Sequence, residues 1–414
     1  MSPKNTIVLN LIFIFFALYN QIFANWFYDG SLHTKIGYDD NGLVSSDTSP
    51  QKEASSFSST HIDLLAQYQI ASGDFFSVRY SPSSTHYFGL DQDDHLAHTS
   101  VLKFKKSTLD NFIIKGSLLY KFIDGDTLTP CYTETSPTFL GGLAIRDRHK
   151  AVISRQSLDM QWNFNEHSLF SIVFEGYYHD FRTTQFRSSD PERPDGYINY
   201  IDRSIFNGGF NIGYKFLGDA YLLGGYRYGI GKQDNRPDTD LHYSNYFHRI
   251  LIGIQGKINH GVTFDLFTGP ELKEFTGKTA EGFGNTRTFW FAKGSVQIDL
   301  QNKGKLKLSI SRLPLQSYLG ASIYEDFKIQ ATYSKKLDDS LTASATFTRY
   351  EGDWVSRQHI SRNDLLWSPA ISLKYQIRNN LLLDLNYTYE STESVVKNQE
   401  FERNLLSLGA TFTF

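Results

Sequence analysis

The stretch NLLSLGATFTF, Asn404 to Phe414, decides the fold. Leu406, Leu408, Ala410, Phe412 and Phe414 share one face of an extended chain, and Ser407, Gly409, Thr411 and Thr413 share the other. A strand this two-faced at the edge of a sheet would offer its unpaired N–H and C=O groups to other chains, an aggregation hazard. Pairing with the first strand, so that a barrel closes, removes that edge. The alternative is the last strand of a soluble all-β domain.

Outward from this stretch, two kinds of connection alternate. Short ones fall at 72–74, 109–111, 165–167, 217–219, 257–261, 302–304, 337–340 and 378–380, and are rich in Gly, Asn or Asp, residues that tolerate the backbone of tight hairpins. Long polar ones fall at 40–58, 82–96, 124–149, 182–200, 231–243, 270–284, 313–322, 351–363 and 391–403. Strict alternation of short and long belongs to an all-β, transmembrane, up-and-down antiparallel β-barrel with short periplasmic turns and long extracellular loops. About eighteen strands are expected, within a range of about 16–18.

The segments between connections are two-faced throughout. Phe112, Ile114, Leu118 and Tyr120 alternate with Lys115, Ser117 and Lys121, and Leu383, Leu385, Tyr387 and Tyr389 alternate with Asp384, Asn386, Thr388 and Glu390. Apolar residues are 40% of the chain and the mean hydropathy is -0.36, yet Phe (33) and Tyr (25) are abundant and Pro (11) is sparse. That balance suits strands with one face to lipid and one to water. No internal run approaches the roughly 20 apolar residues of a spanning helix. Residues 1–24 differ: Lys4 precedes the apolar run Ile7 to Phe16, and Ile22-Phe23-Ala24 ends in a small residue, the pattern of a cleaved secretory signal. Residues 25–414 then form one barrel domain. Cys131 is the only cysteine, so no internal disulfide or Cys-based metal cluster is expected, and no cofactor. The net charge of -3, without a basic stripe, gives no nucleic-acid footprint.

The terminal alternation ending in Phe resembles the signature that the insertion machinery of bacterial outer membranes reads. The resemblance implies that Leu406, Leu408, Ala410, Phe412 and Phe414 are its contact, with outer-membrane lipid and lipopolysaccharide around the barrel of a Gram-negative cell. Lys35-Ile-Gly-Tyr-Asp-Asp-Asn41, Arg362-Asn-Asp364, Ile371 to Tyr375, Leu381 to Tyr389 and Phe401 to Phe414 together resemble the putative β-barrel porin type 2 family. That family implies an outer-membrane location and a link to surface-polysaccharide export, and it brings no catalytic residues. A TonB-type plug domain and an autotransporter passenger are both missing from the pattern.

If the polar face turns inward, the bore is lined by Lys35, Arg79, Lys103, Lys115, Lys121, Arg227, Lys293, Lys328 and Lys374 against Asp159, Glu175, Asp265 and Asp384. A basic excess favours anions or neutral polyols, unless the charges cancel as cross-strand pairs. The third long connection carries an apolar run, Phe139 to Ile145, followed by Arg146, Asp147 and Arg148; its resemblance to the inward-folded third loop of general porins implies a constriction loop, and packing on neighbouring loops is the alternative. Asp91, Asp93, Asp94, His95 and His98 crowd one connection, but with nothing to fix their spacing a solvated acidic rim is the simpler reading than acid–base or metal chemistry. Asp39-Asp40-Asn41-Gly42 looks like part of a calcium loop without its downstream Glu. The expected function is a non-enzymatic, water-filled channel for passive passage of small polar solutes or surface polysaccharide. A non-conducting barrel whose loops bind surface polymers or partner proteins is the alternative, and a barrel-embedded hydrolase a distant third.

The processed chain is expected to require detergent and to change gel mobility on heating. A monodisperse, detergent-free protein with a single mobility would overturn the membrane reading.

Overall fold

Alternating segments of 13 to 18 residues become the strands of one sheet. The computed structural model describes residues 25–42, 53–71, 73–90, 94–109, 111–125, 150–182, 202–234, 242–259, 261–279, 281–300, 303–316, 323–355, 361–394 and 400–414. Residues 1–24, Cys131, Asp91, Asp93 and the candidate constriction at Arg146, Asp147 and Arg148 lie outside them. The strands are β1 (Trp26–Asp39), β2 (Ser55–Ala71), β3 (Asp74–Phe88), β4 (His95–Leu109), β5 (Phe112–Gly125) and β6 (Lys150–Asn163). Next come β7 (Ser168–Phe181), β8 (Arg203–Leu217), β9 (Asp219–Gln233), β10 (Asn245–Asn259), β11 (Val262–Phe275) and β12 (Thr286–Leu300). The last are β13 (Gly304–Gln316), β14 (Ile323–Lys336), β15 (Leu341–Val355), β16 (Ser361–Arg378), β17 (Leu381–Ser394) and β18 (Phe401–Thr413).

Each strand pairs antiparallel with its sequence neighbours, and β1 pairs with both β2 and β18, so the 18-stranded sheet closes on itself. The short connections fall at the hairpins expected from Gly, Asn and Asp. Gly218 shows why such residues are needed. Its φ is 57°, and a Cβ there would lie 2.2 Å from the Ile258 carbonyl oxygen on β10.

At the opposite end the strands run further than the sequence reading allowed. Residues 82–88, 270–275, 351–355 and 401–403, read as connection, are strand. In the first two, proline was the misleading signal, because it cannot donate to a ladder; 351–355 and 401–403 contain none. The barrel accommodates proline at gaps in the pairing. The β2–β3 ladder skips from His61↔Ser83 to Leu64↔Tyr80 around Pro82, and β10–β11 skips from Arg249↔Glu271 to Ile252↔Thr268 around Pro270. Around Pro369, β16–β17 likewise skips from Trp367↔Ser391 to Ala370↔Thr388.

The two faces separate as the alternation demands. On β18, Leu406, Leu408, Phe412 and Phe414 are 49%, 52%, 45% and 66% exposed, while Ser407 between them is 9% exposed. The same outward apolar face continues around the ring, far beyond the few hundred Å² of apolar patch that a soluble monomer leaves in water. Outward aromatics gather at both ends of the strands. Trp162, Phe164, Tyr214, Phe216 and Phe414 lie at the short-turn end, and Phe88, Tyr178, Phe206, Tyr228 and Trp290 at the other, as two interfacial girdles.

The seam between first and last strands is fastened at both ends. At the short-turn end Gly30 and Phe414 exchange backbone hydrogen bonds of 3.2 and 2.9 Å, and a Cβ on Gly30 would sit 2.5 Å from the Phe414 ring. At the other end the buried Arg403 guanidinium donates from Nε to both Asp39 oxygens at 3.0 and 3.1 Å, and approaches Glu390 at 3.5 Å. The Tyr87 hydroxyl donates to Asp39 at 3.2 Å. Asp40 accepts from the backbone and side-chain nitrogens of Asn404, and Asn41 donates to the Glu402 carbonyl. The Asp39–Asn41 run is therefore seam fastening: its polar groups are taken up by β18.

Removing one partner of a fully buried ion pair costs about 3–5 kcal/mol. Arg403→Leu is therefore expected to lower the urea midpoint of the micelle-embedded barrel and the temperature of its mobility shift, with Arg403→Lys intermediate. An unchanged midpoint would show that the seam does not rely on this pair.

Candidate functional site

The site is the bore, and the register fixes which side chains enter it. Lys35 lies opposite Ser59, Lys103 opposite Ser77 and Ser117, and Lys121 opposite Thr99. Arg79 faces Leu65 across the ladder and reaches Asp63 at 3.5 Å. Lys115 stands between Lys105 and Asp159. Glu175 pairs with Ser157 and Asn207, Arg227 with Gly209 and Arg249, Asp265 with Gln255 and Ser295, and Lys293 with Phe267 and Ser311. Lys328 pairs with Ser311 and Tyr350, and Lys374 with Asp384. All share the parity of Ser407, the inner face. His33 Nε2 lies 3.1 Å from Asp384.

The crowded histidines are not brought together. His95 shares the inner parity, whereas His98 is on the outer face, where its Nδ1 lies 2.7 Å from the Tyr80 hydroxyl. Asp94 is taken by His86, 2.6 Å away.

The sequence reading missed a second charged group because it placed 270–284 in a connection. Glu271 and Lys273 are on β11, buried to 1% and 2% exposure, and linked at 2.9 Å. Arg249 on β10 completes the set by an ion pair to Glu271, its guanidinium 3.7 Å from the Phe291 ring centre. Lys273 lies 5.0 Å from the Phe247 ring centre. Buried charges survive only when paired, and here one carboxylate serves two cations lying over aromatic faces. The period-2 pattern through Arg249, Glu271 and Lys273 could have revealed them had Pro270 not been read as a stop.

Above this group the interior is filled. Tyr243, Phe275, Phe283, Phe289 and Ile323 form a buried cluster, with rings of Tyr243, Phe275 and Phe283 edge-on at 4.9 to 5.9 Å. The ends of β13 and β14 reach over to β8 and β9. Arg203 donates to the Gln316 carbonyl, Leu315 packs against Ile205, and a Cβ on Gly231 would strike the Gln316 amide. Among the described residues, the narrowing is thus built from β13–β14 and the aromatic cluster.

Among the described residues, the bore holds two cavities of different character. One, of about 270 Å³, lies against β6–β12 and is charge-balanced, with Arg227, Arg249 and Lys293 facing Asp159, Glu175 and Asp265. The other, of about 370 Å³, lies between β1–β5 and β14–β18, where hydroxyls and amides share the wall with Lys35, Lys328, Glu390 and Arg403 and with apolar side chains such as Ile123, Leu366 and Leu405.

A closed eighteen-stranded antiparallel ring with an apolar outer face and a polar, cavity-bearing bore is a transmembrane β-barrel. Residues 254–414 match the family described as "Putative beta-barrel porin 2". The match includes the stretches at 362–364, 371–375, 381–389 and 401–414 that carried the resemblance; Lys35 to Asn41 fall outside it. No curated protein matches the chain. Among solved structures, the siderophore receptor PiuA from Acinetobacter baumannii is 11% identical, with 95% of this chain and 82% of that one covered and a TM-score of 0.48. The copper transporter OprC is 9% identical over 95% and 82%, with a TM-score of 0.46. OpdK from Pseudomonas aeruginosa, solved with vanillate, is 9% identical over 94% and 99%, with a TM-score of 0.43. At such identities no activity passes from them to this chain.

At the long-connection rim, just before β8, burial pushes the Asp202 carboxyl up to about 6; the Phe181 N–H donating to it at 2.7 Å opposes this, while the Asp180 and Asp234 carboxylates add to it. Between the ordinary carboxylate value and about 6, the folded barrel keeps a proton that the unfolded chain has lost. Stability therefore falls as pH rises through that window and stays lower above it. Two units correspond to about 3 kcal/mol, and half-exposure reduces this to about 1 kcal/mol. Asp202→Asn keeps an acceptor for Phe181 and is expected to flatten urea midpoints between pH 4 and 6 and to raise them at pH 8. A variant profile parallel to the native one would refute the assignment.

Proposed function

We propose that residues 25–414 form an outer-membrane porin that passes small polar solutes passively, exported by the cleaved segment 1–24. Leu406, Leu408, Ala410, Phe412 and Phe414 are in this reading the contact for the insertion machinery, and lipopolysaccharide surrounds the long-connection end. The observation that carries the proposal is the inward polar face of a closed eighteen-stranded ring, since barrels of about 16–18 strands enclose more space than side chains fill. The narrowing by Tyr243, Phe283, Ile323 and the β13–β14 ends favours small solutes over a surface polysaccharide, and Arg146, Asp147 and Arg148 add to that constriction in this reading. The same narrowing supports the second reading, a non-conducting barrel that binds surface polymers or partners through its loops. Neither reading assigns catalysis to the chain.

Basic groups exceed acidic ones among the proposed bore residues, and Lys105 and Lys115 oppose each other directly. Planar-bilayer recordings should show stable steps with a reversal potential on the anion side. Lys103→Gln with Lys115→Gln should move that potential toward cations by several millivolts. Silence from a correctly folded, heat-modifiable barrel would overturn the channel in favour of the scaffold.

A further inference from the structure

The larger cavity has a chemical character that the charge-balanced one lacks. Its acids are already committed. Asp39 and Glu390 hold Arg403, and Asp384 accepts from Asn386 and lies beside His33. Its two ammonium groups are not so engaged. Lys35 lies 5.6 Å from the Phe57 ring centre, and neither it nor Lys328 makes an ion pair among the described residues. Hydrogen-bonding groups share the rest of the lining with apolar side chains such as Leu366 and Leu405. Gln330 and Thr348 are joined at 3.1 Å, while the hydroxyls of Ser368, Thr388 and Ser407 have no hydrogen-bond partner among the described residues.

Two cations without an ion pair, in one cavity with hydroxyls that both donate and accept, match a solute with one anionic end and several hydroxyls of its own. The volume of about 370 Å³ is at the lower end of ligand pockets, which run from about 300 to 1,000 Å³. We propose that this chamber is a binding site for small polyhydroxylated carboxylates, in which Lys35 and Lys328 hold the carboxylate and Ser368, Thr388 and Ser407 take the hydroxyls. An inorganic anion would use the lysines alone, and a neutral sugar the hydroxyls alone, so only the combined ligand engages the whole lining. The inference rests on the bore being open to water, as proposed above, and names the solute class for it.

The test uses the detergent-solubilised full-length barrel titrated calorimetrically with gluconate, glucose and chloride, and bilayer recordings with gluconate added. Gluconate should bind at least tenfold more tightly than glucose or chloride. Lys35→Gln with Lys328→Gln should abolish that preference, the corresponding Arg variants should retain it, and Ser368→Ala with Thr388→Val should weaken gluconate but not chloride. The last variant leaves every charge in place, so it reports on the site even if the lysine variants fold poorly. Gluconate binding no tighter than glucose, or indifferent to both sets of substitutions, would overturn the site. Lysine-dependent gluconate binding by an electrically silent barrel would uphold the site and remove the channel; clear conductance steps untouched by gluconate, with no heat of binding, would do the reverse.

Discussion

A peptide group in hydrocarbon has nothing to bond to except another peptide group, and this constraint shapes the molecule. A sheet satisfies it only when its last strand meets its first, so the β1–β18 seam is the contact on which every other strand's position depends. The register there runs from Ser31↔Thr413 to Asp39↔Leu405, and each end is secured by a different kind of chemistry. Near the short turns a glycine lets the terminal Phe ring lie flat across the seam. At the other end a buried arginine draws together carboxylates from β1 and β17, with a tyrosine from β3. One end of the seam relies on close packing and the other on charge.

Closure creates an inside, and the inside is uneven. Toward β7–β13 the bore is occupied by paired charges and by aromatic rings arriving from the long-connection end. Toward β1–β5 and β14–β18 it is left as a chamber in which hydroxyls and amides share the wall with charged and apolar side chains.

Much of this was legible in the sequence. Period-2 alternation in Asn404–Phe414 and in Phe112–Phe122, with the rhythm of short and long connections, determined the fold class, the strand number and the face on which Lys115, Glu175 or Asp384 stands, because each is a local property of an extended chain. Strand ends were less legible: Pro82 and Pro270 fell within segments that read as connection, and only the neighbouring ladder reveals a gap that tolerates a missing N–H. The separation of His95 from His98 follows from the same alternation once β4 is known to begin at His95. Tertiary structure alone decided the rest. The union of Arg403 with Asp39, the landing of Gln316 on β8 and β9, and the placing of Lys35 and Lys328 in one cavity join residues far apart along the chain. Which side chains face one another across a closed ring depends on its circumference and register, and no local pattern encodes either.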